Sequence, residues 1–143
     1  MTQSLSVYVA GELFSLKHLI GNAVLANALN EQSDGRYRSV VPQDIEQRDL
    51  RPIAIRDQDL LHVFSSDVGV FHFDGPELDS GTVVEFIVAK MLDIPSVIVR
   101  TDFRRGGDND GDPWNLMLRG YPRTHTVVMD GMASYQKRLK RWG

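Results

Sequence analysis

Apolar positions along the chain alternate between short runs of strand type and longer stretches of helical period, which predicts a layered α/β fold with a mostly parallel sheet. The first strand is expected at Ser6–Ala10, ending at Gly11. A helix over Leu16–Gln32 follows, with Leu19, Ile20, Ala23, Val24, Ala26, Asn27 and Leu29 mostly on one face. Ser33, Asp34 and Gly35 interrupt that pattern. Ser39–Val41 is a second strand, which Pro42 ends because proline has no N–H for a ladder. After a loop from Gln43 to Arg51, Pro52 opens a helix toward Ser66, proline being favoured in a first turn. Val68–Phe73 is strand three, Asp74–Asp79 is a loop containing Gly75 and Pro76, and Ser80 is the expected N-cap of a helix over Thr82–Leu92. Strand four spans Pro95–Thr101. The Asp-, Gly- and Arg-rich stretch Asp102–Asp112 lacks apolar periodicity and reads as a mobile loop of the kind that closes over ligands. A short helix near Pro113–Arg119, a fifth strand at Thr126–Met129 and a closing helix at Met132–Trp142 complete the pattern.

These elements predict one domain over residues 1–143, a flavodoxin-like doubly wound five-stranded parallel sheet with helices on both faces. With the strand order 2-1-3-4-5, the carboxyl ends of strands one and three flank the switch point where ligands bind in such sheets. One flanking loop carries Gly11, Glu12 and Phe14; the other carries Asp74, Glu77 and Asp79 and leads to Glu85.

Composition narrows the chemistry. At 143 residues and 42% hydrophobic content the chain is large enough for a continuous core without staples. Cysteine is absent, which removes disulfides and thiolate metal sites, and the four histidines (His18, His62, His72, His125) are scattered, so no metal or other cofactor is expected. The net charge is −3, and the dense basic run Lys137, Arg138, Lys140 and Arg141 reads as a solvated helix end rather than a nucleic-acid surface. No apolar run approaches the roughly 18 residues that span a bilayer, and no export signal is visible, so a soluble, cytoplasmic protein is expected.

The most informative position is Glu85, an acid set among apolar neighbours in Thr82-Val83-Val84-Glu85-Phe86-Ile87-Val88-Ala89. Neither Val88 nor Ala89 is a basic partner at helical spacing, so a surface ion pair does not explain it. Interaction with the positive end of the helix dipole does, and stands as the alternative to a functional role. Asp79 lies six residues earlier, across a turn, and both carboxylates could line one pocket. Glycosyl chemistry needs such a pair, one carboxylate to attack the anomeric carbon and another acid to assist the leaving group. A cap or turn role accounts equally for Asp79, and for Asp67 at the start of strand three.

These residues carry a resemblance over most of the chain to the nucleoside 2-deoxyribosyltransferase family. The matching pieces are Val7-Tyr8-Val9-Ala10-Gly11 with Leu13 and Phe14, Asp79-Ser80-Gly81 with Glu85, and Asn115-Leu116-Met117. The resemblance implies that Glu85 is a nucleophile forming a covalent 2-deoxyribosyl ester and that Tyr8 positions it. It implies that Asp79 binds sugar hydroxyls, that Asp67 is the base-side acid, and that Gln43 hydrogen-bonds the base. Gly11 and Phe14 would belong to the substrate pocket, and Asn115 would reach the 5′-hydroxyl across a subunit boundary, implying a homo-oligomer, a dimer or hexamer. Phe14, Phe73 and Trp114 are candidates to stack on a base, with a place in the core as the alternative. The expected substrates are 2′-deoxynucleosides and free nucleobases, exchanged in ping-pong fashion with retention of the β configuration. Glu12 stands where the family often has proline after Ala-Gly, and the chain ends Arg141-Trp142-Gly143 where some members have a terminal tyrosine. The competing functions are hydrolysis of 2′-deoxynucleoside 5′-monophosphates, for which Glu12 would repel the phosphate, and a non-catalytic nucleotide-binding module on the same fold.

Overall fold

The computed structural model describes residues 3–45 and 51–142, with side chains to residue 137. Five parallel strands form one sheet, β1 (Leu5–Gly11), β2 (Tyr37–Val40), β3 (Val68–His72), β4 (Ser96–Arg100) and β5 (Thr124–Val128), in the spatial order β2-β1-β3-β4-β5. The helices are α1 (Leu16–Gln32), α2 (Pro52–Phe64), α3 (Ser80–Met91) and α4 (Gly131–Trp142). The flavodoxin-like order read from the sequence is therefore the order of the sheet.

Several boundaries differ from the expected ones, for local reasons. Ser80 is the first residue of α3 and not its cap. Asp79 takes that place, its Oδ2 accepting from the Thr82 N–H at 2.8 Å and the Thr82 hydroxyl at 2.7 Å. The helix expected at Pro113–Arg119 shrinks to a 3₁₀ turn at Leu116–Leu118, capped by Asn115, whose side chain accepts from the Met117 N–H. A second 3₁₀ turn, Pro42–Asp44, follows β2 and carries Gln43; of the loop expected at Gln43–Arg51, residues 46–50 lie outside the described residues.

Side-chain alternation along the strands divides the core. Tyr8, Ala10, Phe71, Phe73 and Ile98 point toward Val63 of α2 and toward Phe86 and Ala89 of α3. Phe71 and Phe73 meet the Phe86 ring edge-on at 5.3 and 6.1 Å between centroids. On the other face, Val7, Val9, Val70 and Val99 bury against Ala26 of α1. Phe73 and Trp114, candidates for base stacking, are core residues at 1% and 3% exposure. The predicted apolar face of α1 is only partly used, since Ile20 and Val24 remain 55% and 40% exposed. Among the described residues, no helix is long and apolar enough to cross a membrane.

Candidate active site

Tyr8 lies on β1 between Val7 and Val9, with the side-chain parity that aims it at α2 and α3. Its fully buried ring carries the phenol to the second turn of α3, where the hydroxyl donates to Glu85 Oε1 at 2.8 Å. Removal from water pushes the Glu85 carboxyl up to about 7; the Tyr8 hydrogen bond opposes this, while the negative charges of Asp59 and Asp79 add to it. Burial likewise raises the Tyr8 phenol far above its ordinary value, as do Glu85 and Asp59, so this tyrosine is a proton donor at any physiological pH. Two further carboxylates thus act on Glu85: Asp79, which caps α3, and Asp59 from α2.

Asp59 was not singled out by the sequence, because in Arg56-Asp57-Gln58-Asp59 it looks like part of a solvated helix face. Its signal is spacing: it lies four residues before Val63, which is 1% exposed, and so shares the inward side of α2. Asp67 is placed differently. It stands at the amino end of β3, where its Oδ2 accepts from the Ser6 N–H at 2.7 Å and the Ser6 hydroxyl at 2.9 Å. Those bonds lower its pKa, and no interaction among the described residues joins it to Glu85 or Tyr8. It ties the start of β3 to β1.

The turn that leads from β3 to Asp79 is laced to the end of β4. Arg100 is 2% exposed; its Nη1 donates to the Phe73 carbonyl at 3.1 Å and its Nη2 to the Gly75 carbonyl at 3.0 Å. Gly75 has φ +114°, a conformation that favours glycine, and its N–H donates to Asp102 at 3.1 Å. Asp74 reciprocates, accepting from the Thr101 N–H at 2.6 Å, the Asp102 N–H at 2.9 Å, the Thr101 hydroxyl and His72 Nε2. Burial opposes its charge, but the His72 bond and charge and the Thr101 donors outweigh that and hold it well below the usual carboxylate range. Two strand ends bound this tightly give the Asp79 cap a fixed origin.

Beyond this turn, Glu12, Glu77 and Asp79 line a cleft of about 370 Å³ with no cationic side chain among the described residues of its wall. Gly11 closes β1 where an added Cβ would come within 3.1 Å of Asn22 Oδ1 and 3.3 Å of the His72 Cβ. Gln43 is held by α1: its Oε1 accepts from Asn22 at 3.2 Å and its Nε2 donates to the Leu19 carbonyl at 2.7 Å. Phe14 is 78% exposed. Asn115 lines a cavity with Glu77, Arg100 and Asp108. No cluster of three or more His, Asp or Glu able to hold a metal ion occurs among the described residues.

A comparison with protein families decides what this arrangement belongs to: residues 7–117 match the family described as nucleoside 2-deoxyribosyltransferase. The chain belongs to that family. The matched stretch contains Tyr8, Asp59, Asp79, Glu85 and Asn115. Solved structures share the fold of this family member. A conserved protein from Enterococcus faecalis V583 has a TM-score of 0.74 and 26% identity over 97% of this chain and 99% of its own. The 2-deoxyribosyltransferase from the psychrotolerant Bacillus psychrosaccharolyticus has a TM-score of 0.64 and 18% identity, covering 90% of this chain and 89% of its own. A CMP N-glycosidase from Clostridium botulinum has a TM-score of 0.60 and 13% identity, covering 96% and 99%. No curated protein matches the chain. Membership places the chain among glycosyl-transfer or nucleoside-processing enzymes.

Proposed function

We propose that this family member is a nucleoside 2-deoxyribosyltransferase, exchanging the nucleobase of 2′-deoxynucleosides through a covalent 2-deoxyribosyl ester on Glu85. The observation that carries this reading is the buried Tyr8–Glu85 hydrogen bond within a group of carboxylates. A deoxyribosyl C1′ ionises readily because no 2′-oxygen withdraws electrons from the cationic transition state. As the C1′–N bond breaks, its electron pair leaves with the base, and a Glu85 oxygen bonds to C1′. A second base then attacks C1′ from the opposite face, the ester C–O pair returns to Glu85, and two inversions give retention. Tyr8 assists by donating to the carboxylate, which favours the ionised form that burial disfavours.

Asp59 takes the base-side proton in this scheme, giving it to the departing base and recovering it from the incoming one. Its support is its charge on both Tyr8 and Glu85. Asp79 receives the sugar hydroxyls, Gln43 and the exposed Phe14 ring serve the base, and Gly11 keeps β1 free of a side chain at the pocket. Asn115 serves the 5′-hydroxyl of a neighbouring subunit's substrate, which makes a homo-oligomer part of the proposal. The acidic wall of Glu12, Glu77 and Asp79 favours a neutral nucleoside over a 5′-phosphate.

The test is chromatography of deoxyinosine incubated with adenine, with wild type beside Glu85→Ala. Deoxyadenosine from the wild type alone is the expected result. Hypoxanthine without deoxyadenosine, or turnover of deoxynucleoside monophosphates in preference to nucleosides, would make the chain a hydrolase. Binding without turnover of this pair, or of thymidine as donor, would leave a binding module.

A further inference from the structure

Helix α1 buries two residues, Ala26 and, one turn earlier, Asn22 at 4% exposure. Asparagine is a poor helix former, and burial strips its amide of water, so hydrogen bonds must offset the loss. Its Nδ2 donates to the Glu12 carbonyl at 3.1 Å, on the loop after β1, and to Gln43 Oε1 at 3.2 Å, on the 3₁₀ turn after β2. Gln43 Nε2 in turn donates to the carbonyl of Leu19, back on α1, at 2.7 Å. Gly11 leaves room for the pair, since a Cβ there would stand 3.1 Å from Asn22 Oδ1.

These bonds fix the direction of both amides. A backbone carbonyl only accepts, so Glu12 requires the nitrogen of Asn22 and Leu19 requires the nitrogen of Gln43. The contact between the two side chains is then a nitrogen facing an oxygen. Turning over the Asn22 amide would face its oxygen to two other oxygens. Turning over that of Gln43 would face oxygen to the Leu19 carbonyl and nitrogen to the Asn22 nitrogen.

A primary amide has two N–H donors and two acceptor sites. The α1 contacts take one of each from Gln43 and leave one of each, at ends that cannot exchange. Bases of nearly one shape ask opposite things of such a group. Adenine carries an amino donor at C6 where hypoxanthine carries an oxo acceptor, and the adjoining ring nitrogen changes from acceptor to donor. An amide free to turn over would serve both. One held in a single direction serves one base and leaves a polar group unpaired against the other.

We propose that Asn22 is a positioning residue for base selection: by holding the Gln43 amide in one direction, it sets the preference between 6-amino and 6-oxo purines. The inference rests on the reading above in which Gln43 meets the base. Asn22 itself touches no substrate in this scheme and acts through Gln43.

The test measures kcat/KM for adenine and for hypoxanthine as acceptors, with deoxyguanosine as common donor, in wild type, Asn22→Leu, Gln43→Leu and the double variant. Asn22→Leu is expected to move the ratio of the two values about tenfold toward one, the worth of one hydrogen bond, with hydrolysis of the donor in the absence of acceptor close to that of wild type. In the Gln43→Leu chain the same substitution should add nothing to the ratio, because the amide it acts through is gone. Asn22→Asp keeps the shape and puts an oxygen where Nδ2 donates, so it should move the ratio at least as far, and the result does not depend on the leucine variant folding. Equal losses with both bases, or a shift that persists without Gln43, would overturn the proposal and leave Asn22 as a brace for the loop after β1. KM values and a ratio unmoved by Gln43→Leu would overturn it one step earlier, by removing Gln43 from the base while exchange through Glu85 stands. Absence of exchange by the wild type would remove both.

Discussion

The Tyr8 hydroxyl donates to Glu85 Oε1 at 2.8 Å, joining the middle of the first strand to the second turn of a helix 77 residues further on. The bond places a proton donor against a carboxylate that burial raises to about 7, so it bears directly on how much of Glu85 is ionised. Replacing Tyr8 by Phe removes the hydrogen bond that lowers the Glu85 pKa and leaves burial, Asp59 and Asp79, which raise it. The expected outcome is a loss of roughly 10- to 100-fold in kcat at pH 7, from one hydrogen bond to a charged group. The acidic limb of the pH–rate profile should also move upward; an unmoved limb would leave Tyr8 with a packing role.

For the wild type, a nucleophile must be ionised, so the rate should climb as pH rises through the Glu85 pKa of about 7. The kcat/KM profile of transfer is the measurement. Asp59→Asn removes a charge that raises this pKa and should shift the limb to lower pH, while slowing donors whose base needs protonation to leave. Asp67→Asn should leave both limb and rate unchanged and lower the melting temperature, because its carboxylate serves Ser6.

The same carboxyl weakens the fold at neutral pH. Its pKa rises from 4.5 to about 7 on folding, so the folded state favours the protonated form. The associated stability is present below the unfolded pKa and is lost as pH rises through about 7. Glu85→Gln keeps an acceptor for Tyr8 without the charge. It should stabilise the protein at pH 8 by up to about 3 kcal/mol at 1.36 kcal/mol per unit, with the gap closing below pH 4.5. Chemical denaturation at the two pH values would show it, and an equal difference at both would refute it.

Arg100 offers a separate test of the strand-end lacing. Arg100→Met leaves the Phe73 and Gly75 carbonyls without their donor and should cost about 3 kcal/mol, read from denaturation. The KM for the donor nucleoside should rise as the turn leading to Asp79 loosens.

The fold was legible in the sequence to a large extent because its signals are local. Strand-length apolar runs and a 17-residue helix bounded by Ser15 and Ser33 can be read without knowing what they touch, and α1 falls where the pattern puts it. Glu85 stood out for a similar reason, an acid in apolar company. Caps were less legible: Asp79 and Ser80 are adjacent and both can cap, and the hydrogen bonds to Thr82 decide between them.

By itself, then, the sequence determined the order of elements, the parallel layered class and the presence of an out-of-place carboxylate, since these follow from periodicity and residue chemistry. Tertiary structure alone decided which acids face Glu85. Asp59 and Asp67 are alike in type and eight residues apart. One lies on the inward side of α2, near enough for its charge to act on Glu85, while the other is held by Ser6 at the amino end of β3. Electrostatic interaction depends on distance through space and on exclusion of water, and neither is written in the spacing of residues along the chain.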